Sequence, residues 1–269
     1  MNILTDSKSV KNLSNYCSLY YEQSDFWGGT LTDVQQQRIS ITLSFIPNNV
    51  KTILDLGCGD GRITNELIDQ YDVIGIDMSK EALKYVKAKK TLASVNQVPF
   101  KDHSFDLVLS SEVIEHLPDK ILNKAIEEIQ RLSSKYILIS VPFGENLYEN
   151  STKCNKCRKL FHMNLHFQSY SKKRLASLFP DFKLINSAVF GPWVEYSSNI
   201  LLFFVRQLGG KWPTSNTALC PRCGSRNVES KRGNLIVWTI ERINWRIARV
   251  YPFKKKSWII ALYERKIKS

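Results

Sequence analysis

Ile53-Leu54-Asp55-Leu56-Gly57-Cys58-Gly59-Asp60-Gly61-Arg62 is the stretch that decides the fold of this chain. A strand-length run ends in a glycine-rich turn, and Ile63, Leu67 and Ile68 then recur at helical spacing. Strand, tight turn and helix in immediate succession open a βαβ unit. Without Cβ atoms, Gly57, Gly59 and Gly61 let the backbone turn sharply and bring its amides to a ligand at the positive end of the following helix. The next apolar run, Val73 to Ile76, ends in Asp77. A carboxylate there is placed to accept both hydroxyls of a ribose. The loop reads G-x-G-x-G and not G-x-G-x-x-G, which argues against a dinucleotide ligand.

Outward from this unit, strand-length and helical patterns alternate as far as Phe190, the signature of a parallel sheet covered on both faces. Helices are expected over Lys80 to Lys89, with Ser79 as N-cap, over Asp119 to Leu132, and from Ser171 to Phe179. Strands are expected at Thr52 to Leu56, Val73 to Ile76, Leu92 to Val95, Phe105 to Leu109, Tyr136 to Val141, Phe182 to Phe190 and Trp258 to Glu264. The fold class is therefore α/β, doubly wound, with a seven-stranded, mostly parallel sheet. About 65 residues between the last two strands are too many for a hairpin and predict a partly helical insertion. The domain reading is an N-terminal cap of helices over 1–48, a ligand-binding core over 49–191, a basic insertion over 192–256 tied to loop 145–168, and a final core strand over 257–269.

The 269 residues carry a formal charge of +13, with an isoelectric point near 9.4. That balance points to acidic surroundings: phosphorylated substrates, nucleic acid or an anionic membrane surface. The segment Met1 to Tyr16 has no apolar block of secretory type, and the longest apolar run, Ile200 to Val205, is far short of the about 18 residues of a membrane span. A cytoplasmic protein is expected, with peripheral membrane contact left open.

The combination of ILDLGCGDGRIT (53–64), IGIDMS (74–79), VPFKDHSFDLVLSSEVIEHL (98–117) and ILISVPFG (137–144) resembles the class I S-adenosylmethionine-dependent methyltransferases, in particular the small-molecule branch related to ubiquinone-biosynthesis O-methyltransferases. It covers about the first half of the chain. The resemblance implies a Rossmann-like methyltransferase fold with an antiparallel last strand and S-adenosyl-L-methionine as cofactor. Its binding set would be Asp55, Gly57, Cys58, Gly59 and Gly61 around the methionine part, Asp77 at the ribose, and Met78 on one adenine face. Ser94 and Val95 would lie at the adenine edge, where Ser94 replaces the family's usual Asp, and Glu112 would lie near the cofactor. Tyr20, Tyr21 and Trp27 stand where related N-terminal segments cap the cofactor.

For the acceptor, His116 is the first candidate to take a hydroxyl proton, with Glu115 beside it. His162 and His166 are one turn apart if their loop is helical, and stay open as metal ligands, acceptor contacts or surface residues. The implied reaction is methyl transfer, to oxygen sooner than to carbon or nitrogen, on a small metabolite, sugar or lipid-linked intermediate. The pattern Glu112-x-x-Glu115-His116 also resembles the small-RNA 3'-terminal 2'-O-methyltransferases, which bind a divalent metal with such residues, so RNA methylation is the runner-up. A cofactor-binding protein without catalysis is the third reading.

Two C-x-x-C pairs, Cys154 with Cys157 and Cys220 with Cys223, have the spacing of zinc knuckles, and Gly224 permits the tight turn a knuckle needs. They predict one structural, four-thiolate Zn2+ that staples the insertion over the acceptor crevice. The rivals are a Cys154, Cys157, His162, His166 site and no metal. Cys17 and Cys58 lack partners. Finally, Ile236, Ile240, Ile243, Ile247 and Val250 recur at helical spacing, with Arg242, Arg246 and Arg249 elsewhere on the helix and Trp238, Trp245 and Lys254 to Lys256 nearby. An amphipathic basic helix follows. Its apolar stripe is expected against the domain, with interfacial membrane binding as the functional rival.

Overall fold

The computed structural model describes residues 20–195, 197–226, 233–250 and 254–267. Met1 to Tyr16, Cys17 and Lys231 lie outside them. After a 3-10 turn at Ser24–Phe26, helix α1 (Asp33–Ser44) opens with a capping box: Thr32 accepts from the Gln35 backbone, and the Gln35 side chain reaches back to Thr32. The sheet follows as β1 (Thr52–Leu56), β2 (Asp72–Asp77), β3 (Lys89–Leu92), β4 (Phe105–Ser111) and β5 (Ser133–Pro142), then β8 (Phe182–Val194) and β9 (Lys255–Arg265). Between β5 and β8 a small hairpin is formed by β6 (Ser151–Lys153) and β7 (Leu160–His162). The connecting helices are α2 (Thr64–Leu67), α3 (Lys80–Leu83), α4 (Asp119–Leu132) and α5 (Lys172–Ala176). The insertion contributes α6 (Asn199–Gln207) and α7 (Leu235–Val250).

The seven strands lie in the order β3-β2-β1-β4-β5-β9-β8. β1 to β5 are parallel to one another, whereas β9 runs antiparallel to both β5 and β8. Because successive strand residues point to opposite faces, the sheet buries two apolar layers. Leu54, Leu56, Val108, Ile137 and Ile139 enter one layer, and Ile53, Leu107, Leu109, Leu138 and Ile260 the other. The order reverses between β1 and β4, which opens a crevice at the strands' carboxyl ends, where open α/β sheets bind ligands.

Several local expectations shift. The third strand is Lys89–Leu92, upstream of Leu92 to Val95, because Lys89 to Leu92 pair in register with Ile74 to Asp77. The helix expected over Lys80 to Lys89 accordingly ends after Leu83, and the one expected after the glycine loop is a single turn. The last two strands extend beyond the expected bounds, to Val194 and from Lys255, since their pairing continues through Trp193 with Lys256. Lys255 and Lys256 are thus strand residues.

Candidate active site

A cavity of about 370 Å³ opens at the carboxyl ends of β1, β2 and β4. Of the cofactor residues expected from sequence, Asp55, Gly57, Cys58, Gly59, Asp77, Met78, Ser94, Val95 and Glu112 line it, as does His116. Gly61 stands back from it, with φ +78, and its missing Cβ would touch Asn65 at 3.0 Å.

The glycine loop works differently from the expectation that its amides face a ligand. Gly57 and Cys58 donate to Ile76 O at 2.8 and 2.9 Å, Gly59 donates to Asp77 Oδ2 at 2.8 Å, and Gly61 donates to Cys58 O at 3.0 Å. Every one of these amides is already engaged. The glycines' contribution is room: at Gly57, with φ +81, an added Cβ would lie 2.4 Å from Val113 Cγ2. Asp77 Oδ1 accepts from Ser79 N at 2.8 Å, so this carboxylate ties the ends of β1 and β2 together as well as facing the cavity. Burial raises its pKa. Asp55, buried below it and accepting from Thr64 Oγ1 at 2.6 Å, is pushed up to about 7, also by burial.

The N-terminal segment closes one wall. Tyr21, Phe26 and Trp27 line the cavity, and Tyr21 O accepts from both Trp27 Nε1 (2.7 Å) and Ser79 Oγ (2.9 Å), which fixes the segment to the end of β2. Tyr20 does not reach the cavity; it packs with Leu165 and its hydroxyl donates to Met163 O at 3.2 Å.

On the opposite side the chain concentrates buried charge. Glu112, at the end of β4, has φ +57, an unusual backbone for a non-glycine residue. Its Oε2 meets Arg38 Nη1 at 3.0 Å and accepts from Trp258 Nε1 at 2.9 Å. Burial raises its pKa, and the Arg38 guanidinium opposes that rise. Arg38 comes from α1 and Trp258 from β9, 74 residues before and 146 after Glu112 in the chain. Sequence reading missed both, since no local pattern links them to β4.

Glu115 is fully buried beneath the cavity floor and does not line it, which corrects its expected place beside the acceptor. Neither of its carboxylate oxygens has a hydrogen-bond partner among the described residues. Burial, followed by the charge of Glu112, holds its pKa well above the ordinary carboxylate range. Burial thus favours the protonated form of this acid, and a cation beside it would favour the carboxylate. His116 faces the cavity, and burial, reinforced by repulsion from His166 and His162, lowers its pKa to about 3. Its imidazole is neutral at pH 7, and Nδ1 has no hydrogen-bond partner among the described residues, so the ring can accept a hydrogen bond but is a weak base.

The loop carrying His162 and His166 is not helical: His162 ends β7, and the two rings stack with centroids 4.6 Å apart. His162 Nδ1 accepts from Asn164 N and His166 N, both at 3.2 Å, so the ring's proton sits on Nε2, 3.2 Å from Glu145 Oε1. His166 Nδ1 meets Glu145 Oε2 at 2.5 Å. Burial works to raise the Glu145 pKa, but the hydrogen bonds from His162 and His166 outweigh it and hold the carboxyl well below the usual range. Glu145 was another residue without a sequence signal. Donor atoms of Glu115, His116 and His166 lie within 4.8 Å of one another.

The four cysteines converge from β6–β7 and the insertion. Cys154 Sγ lies 3.6 Å from Cys223 Sγ, and Cys157 Sγ lies 3.5 Å from Cys220 Sγ. A tetrahedron with metal–sulfur bonds of about 2.3 Å has edges of about 3.8 Å, so the spacing fits Zn2+ closely. The two knuckles share one backbone design. The amide four residues after the first Cys returns to that residue's carbonyl at 2.9 Å (Arg158 to Cys154, Gly224 to Cys220), and both Arg158 and Gly224 have positive φ. His162 and His166 belong to the Glu145 cluster, which removes the Cys/His site as a rival.

Residues 54–135 match the methyltransferase domain family. The core has the Rossmann-like fold of the methyltransferases, with its seven-stranded, mostly parallel sheet. A Methanocaldococcus jannaschii protein of uncharacterised function is 35% identical over 138 residues, 50% of this chain and 59% of that one. A ubiquinone biosynthesis O-methyltransferase of Hydrogenovibrio crunogenus is 26% identical over 125 residues, 42% of this chain and 52% of that enzyme. The chain spans about half the length of the curated relatives it matches. Among solved structures, 1,6-didemethyltoxoflavin-N1-methyltransferase of Burkholderia thailandensis shares the fold with a TM-score of 0.54 at 14% identity, over 99% of this chain and 93% of that one. The matched region is thus similar in sequence to an O-methyltransferase and in fold to an N1-methyltransferase.

Proposed function

We propose that this protein is an S-adenosylmethionine-dependent methyltransferase that methylates an oxygen of a small metabolite, a sugar or a lipid-linked intermediate. The observation that carries the reading is the cavity at the strand-order reversal, where the glycine loop, Asp77 and a neutral His116 face one another. The donor would be held by the loop around Gly57 and Gly59, by Asp77 at its ribose, and by Met78, Ser94 and Val95 at its base. It supplies a methyl group already activated on a sulfonium centre. The chain's own task is then orientation, which can contribute effective molarities of roughly 10⁵ to 10⁸ M. Tyr21, Phe26 and Trp27 exclude water from one side, and His116 accepts a hydrogen bond from the acceptor hydroxyl, aims its oxygen, and takes the proton released as the C–O bond forms and the C–S bond breaks, passing it on to solvent. Binding of S-adenosylhomocysteine by calorimetry, followed by incubation with labelled methyl donor and separate pools of small metabolites, lipids and RNA, tests the reading. Label in the metabolite or lipid pool supports it. Saturable binding without transfer to any pool would mark a cofactor-binding protein without catalysis.

The metal reading of the cysteines accompanies this function. Cys154, Cys157, Cys220 and Cys223 would hold one structural Zn2+ that fastens the insertion to the β6–β7 hairpin beside the crevice.

One observation favours the RNA alternative. The unpartnered carboxylate of Glu115 and the converging donors of His116 and His166 form a set suited to a divalent cation at the cavity floor, with Glu145 orienting His166. Glu112 does not join it, being held by Arg38 and Trp258. Transfer of label to RNA only with added Mn2+ would select this alternative.

A further inference from the structure

We infer that the helical pair α6–α7 is a docking surface for an anionic lipid bilayer. Of the apolar stripe expected to pack against the domain, Ile240 is part-buried, but Ile236, Ile243, Ile247 and Val250 are exposed. The packed face of α7 is instead built on Val237 and Ala248, with Asn244 accepting from Ser198 N at 3.0 Å and Glu241 held by Lys211 Nζ at 2.6 Å. At about 100° per residue, the stripe of Ile236, Ile243, Ile247 and Val250 is turned away from that face. Ile236 is 63% and Val250 84% exposed. On α6 Ile200, and at its C-cap Leu208, are about as open, at 70% and 71%. Two neighbouring helices thus present large aliphatic side chains outward, among the described residues, with no protein over them.

Charge names the occupant. Arg242, Arg246 and Arg249 are all exposed and lie opposite the packed face, beside the stripe. Glu241, the one acid on either helix, is neutralised by Lys211. Arg242 and Arg249 stack on exposed Trp238 and Trp245, at 5.0 and 3.9 Å from the ring centroids, and Lys256 lies 4.3 Å over Trp193. Apolar ridge, arginine row and tryptophans together match the layers of a lipid interface: acyl chains, anionic headgroups and the boundary between them. A protein partner offering apolar contact would not need the row of cations, and a nucleic acid would not need the isoleucines.

The surface stands near the crevice. Buried Arg206 of α6 donates to Tyr148 O and Glu149 O, and Lys255 donates to Gly144 O, so the pair is pinned to the loop that carries Glu145. Delivery of a lipid-linked acceptor to the cavity rests on the function proposed above, whereas bilayer binding does not.

Flotation of the full chain with phosphatidylcholine vesicles, with and without phosphatidylglycerol, is the test. The wild-type chain should float with the anionic vesicles and be released by salt. Ile243→Glu with Ile247→Glu, and separately Arg242→Glu with Arg246→Glu, should each lower the bound fraction at least tenfold, while S-adenosylhomocysteine binding stays unchanged. Failure of the wild type to float at low salt overturns the inference. So does equal binding of RNA with no vesicle binding, or a concentration-dependent dimer that the isoleucine variants abolish. Because donor binding is read separately, loss of the methyltransferase reading would leave the vesicle result standing, and the reverse.

Discussion

The two halves of the crevice solve opposite problems. On the β1–β2 side the loop amides bond to backbone carbonyls or to Asp77, and the donor-facing surface is shaped by missing side chains. On the β4–β5 side Glu112, Glu115, His116, Glu145, His162 and His166 are crowded together with little solvent, and among the described residues neither oxygen of Glu115 has a hydrogen-bond partner, His116 Nε2 standing 4.0 Å from one of them. The first half is a local structure that is satisfied in itself. The second is assembled from distant segments: Arg38 and Trp258 hold Glu112, the histidines hold Glu145, and Glu115 is left for a proton or a cation to compensate. The insertion's four-cysteine cluster is a third arrangement, a set of thiols whose spacing would suit a tetrahedral Zn2+.

Experiments can break this contrast, beginning with the largest effect. Cys220→Ser should remove the zinc altogether, from one per chain to none by elemental analysis, and expose the insertion to protease while the sheet stays folded; a structural Zn2+ contributes about 10–16 kcal/mol in small domains. His162→Ala with His166→Ala should leave the zinc in place. On the satisfied side, Asp77→Ala should weaken S-adenosylhomocysteine roughly 100-fold by calorimetry, since hydrogen bonds to a charged group contribute about 1.5–3 kcal/mol each. The same substitution should loosen Gly59 and Ser79.

On the strained side the sign is the readout. In the absence of metal, Glu115→Gln should raise stability in urea unfolding by on the order of 1 kcal/mol by removing an unpaired buried acid. A loss of stability that Mn2+ deepens would instead show a cation there. In the wild type the net effect of pH is the smallest, because two opposing groups nearly cancel. An unfolded histidine gains its proton near 6.5, whereas His116 in the fold does so only near 3. Between these values the unfolded chain binds more protons, so His116 makes stability fall as pH drops. Asp55, at about 7 in the fold against about 3.9 unfolded, binds its proton preferentially in the folded state and makes stability rise as pH drops. Each contributes about 2 kcal/mol between pH 7 and 5. The wild type should therefore be nearly flat in these two terms. His116→Asn should become relatively more stable at pH 5 and Asp55→Asn relatively less, as read from denaturation midpoints.

The same contrast explains what could be read in advance. Asp119 to Leu132 is a helix with the expected bounds because its apolar residues alone fix the period. Lys80 to Lys89 was misread because Lys89 joins a strand only through its partner Ile74. The β1–β2 half was legible since turn, glycines and Asp77 are close in sequence. Arg38, Glu145 and Trp258 were not, because each meets its partner across 74 or more residues or through a loop whose path the sequence does not set.

The sequence by itself determined the doubly wound sheet, the glycine loop, the carboxylate at the end of β2 and the two C-x-x-C knuckles, because periodicity and short-range spacing are properties of the local chain; that the knuckles meet each other and not the histidines came from the fold. Only the tertiary structure decided that the loop amides face inward, that Glu115 lies under the cavity, and that α7 packs on Val237 and Ala248 with its isoleucines outward. An amphipathic pattern fixes the angle between faces of a helix, but which face meets the protein depends on what the rest of the fold sets against it.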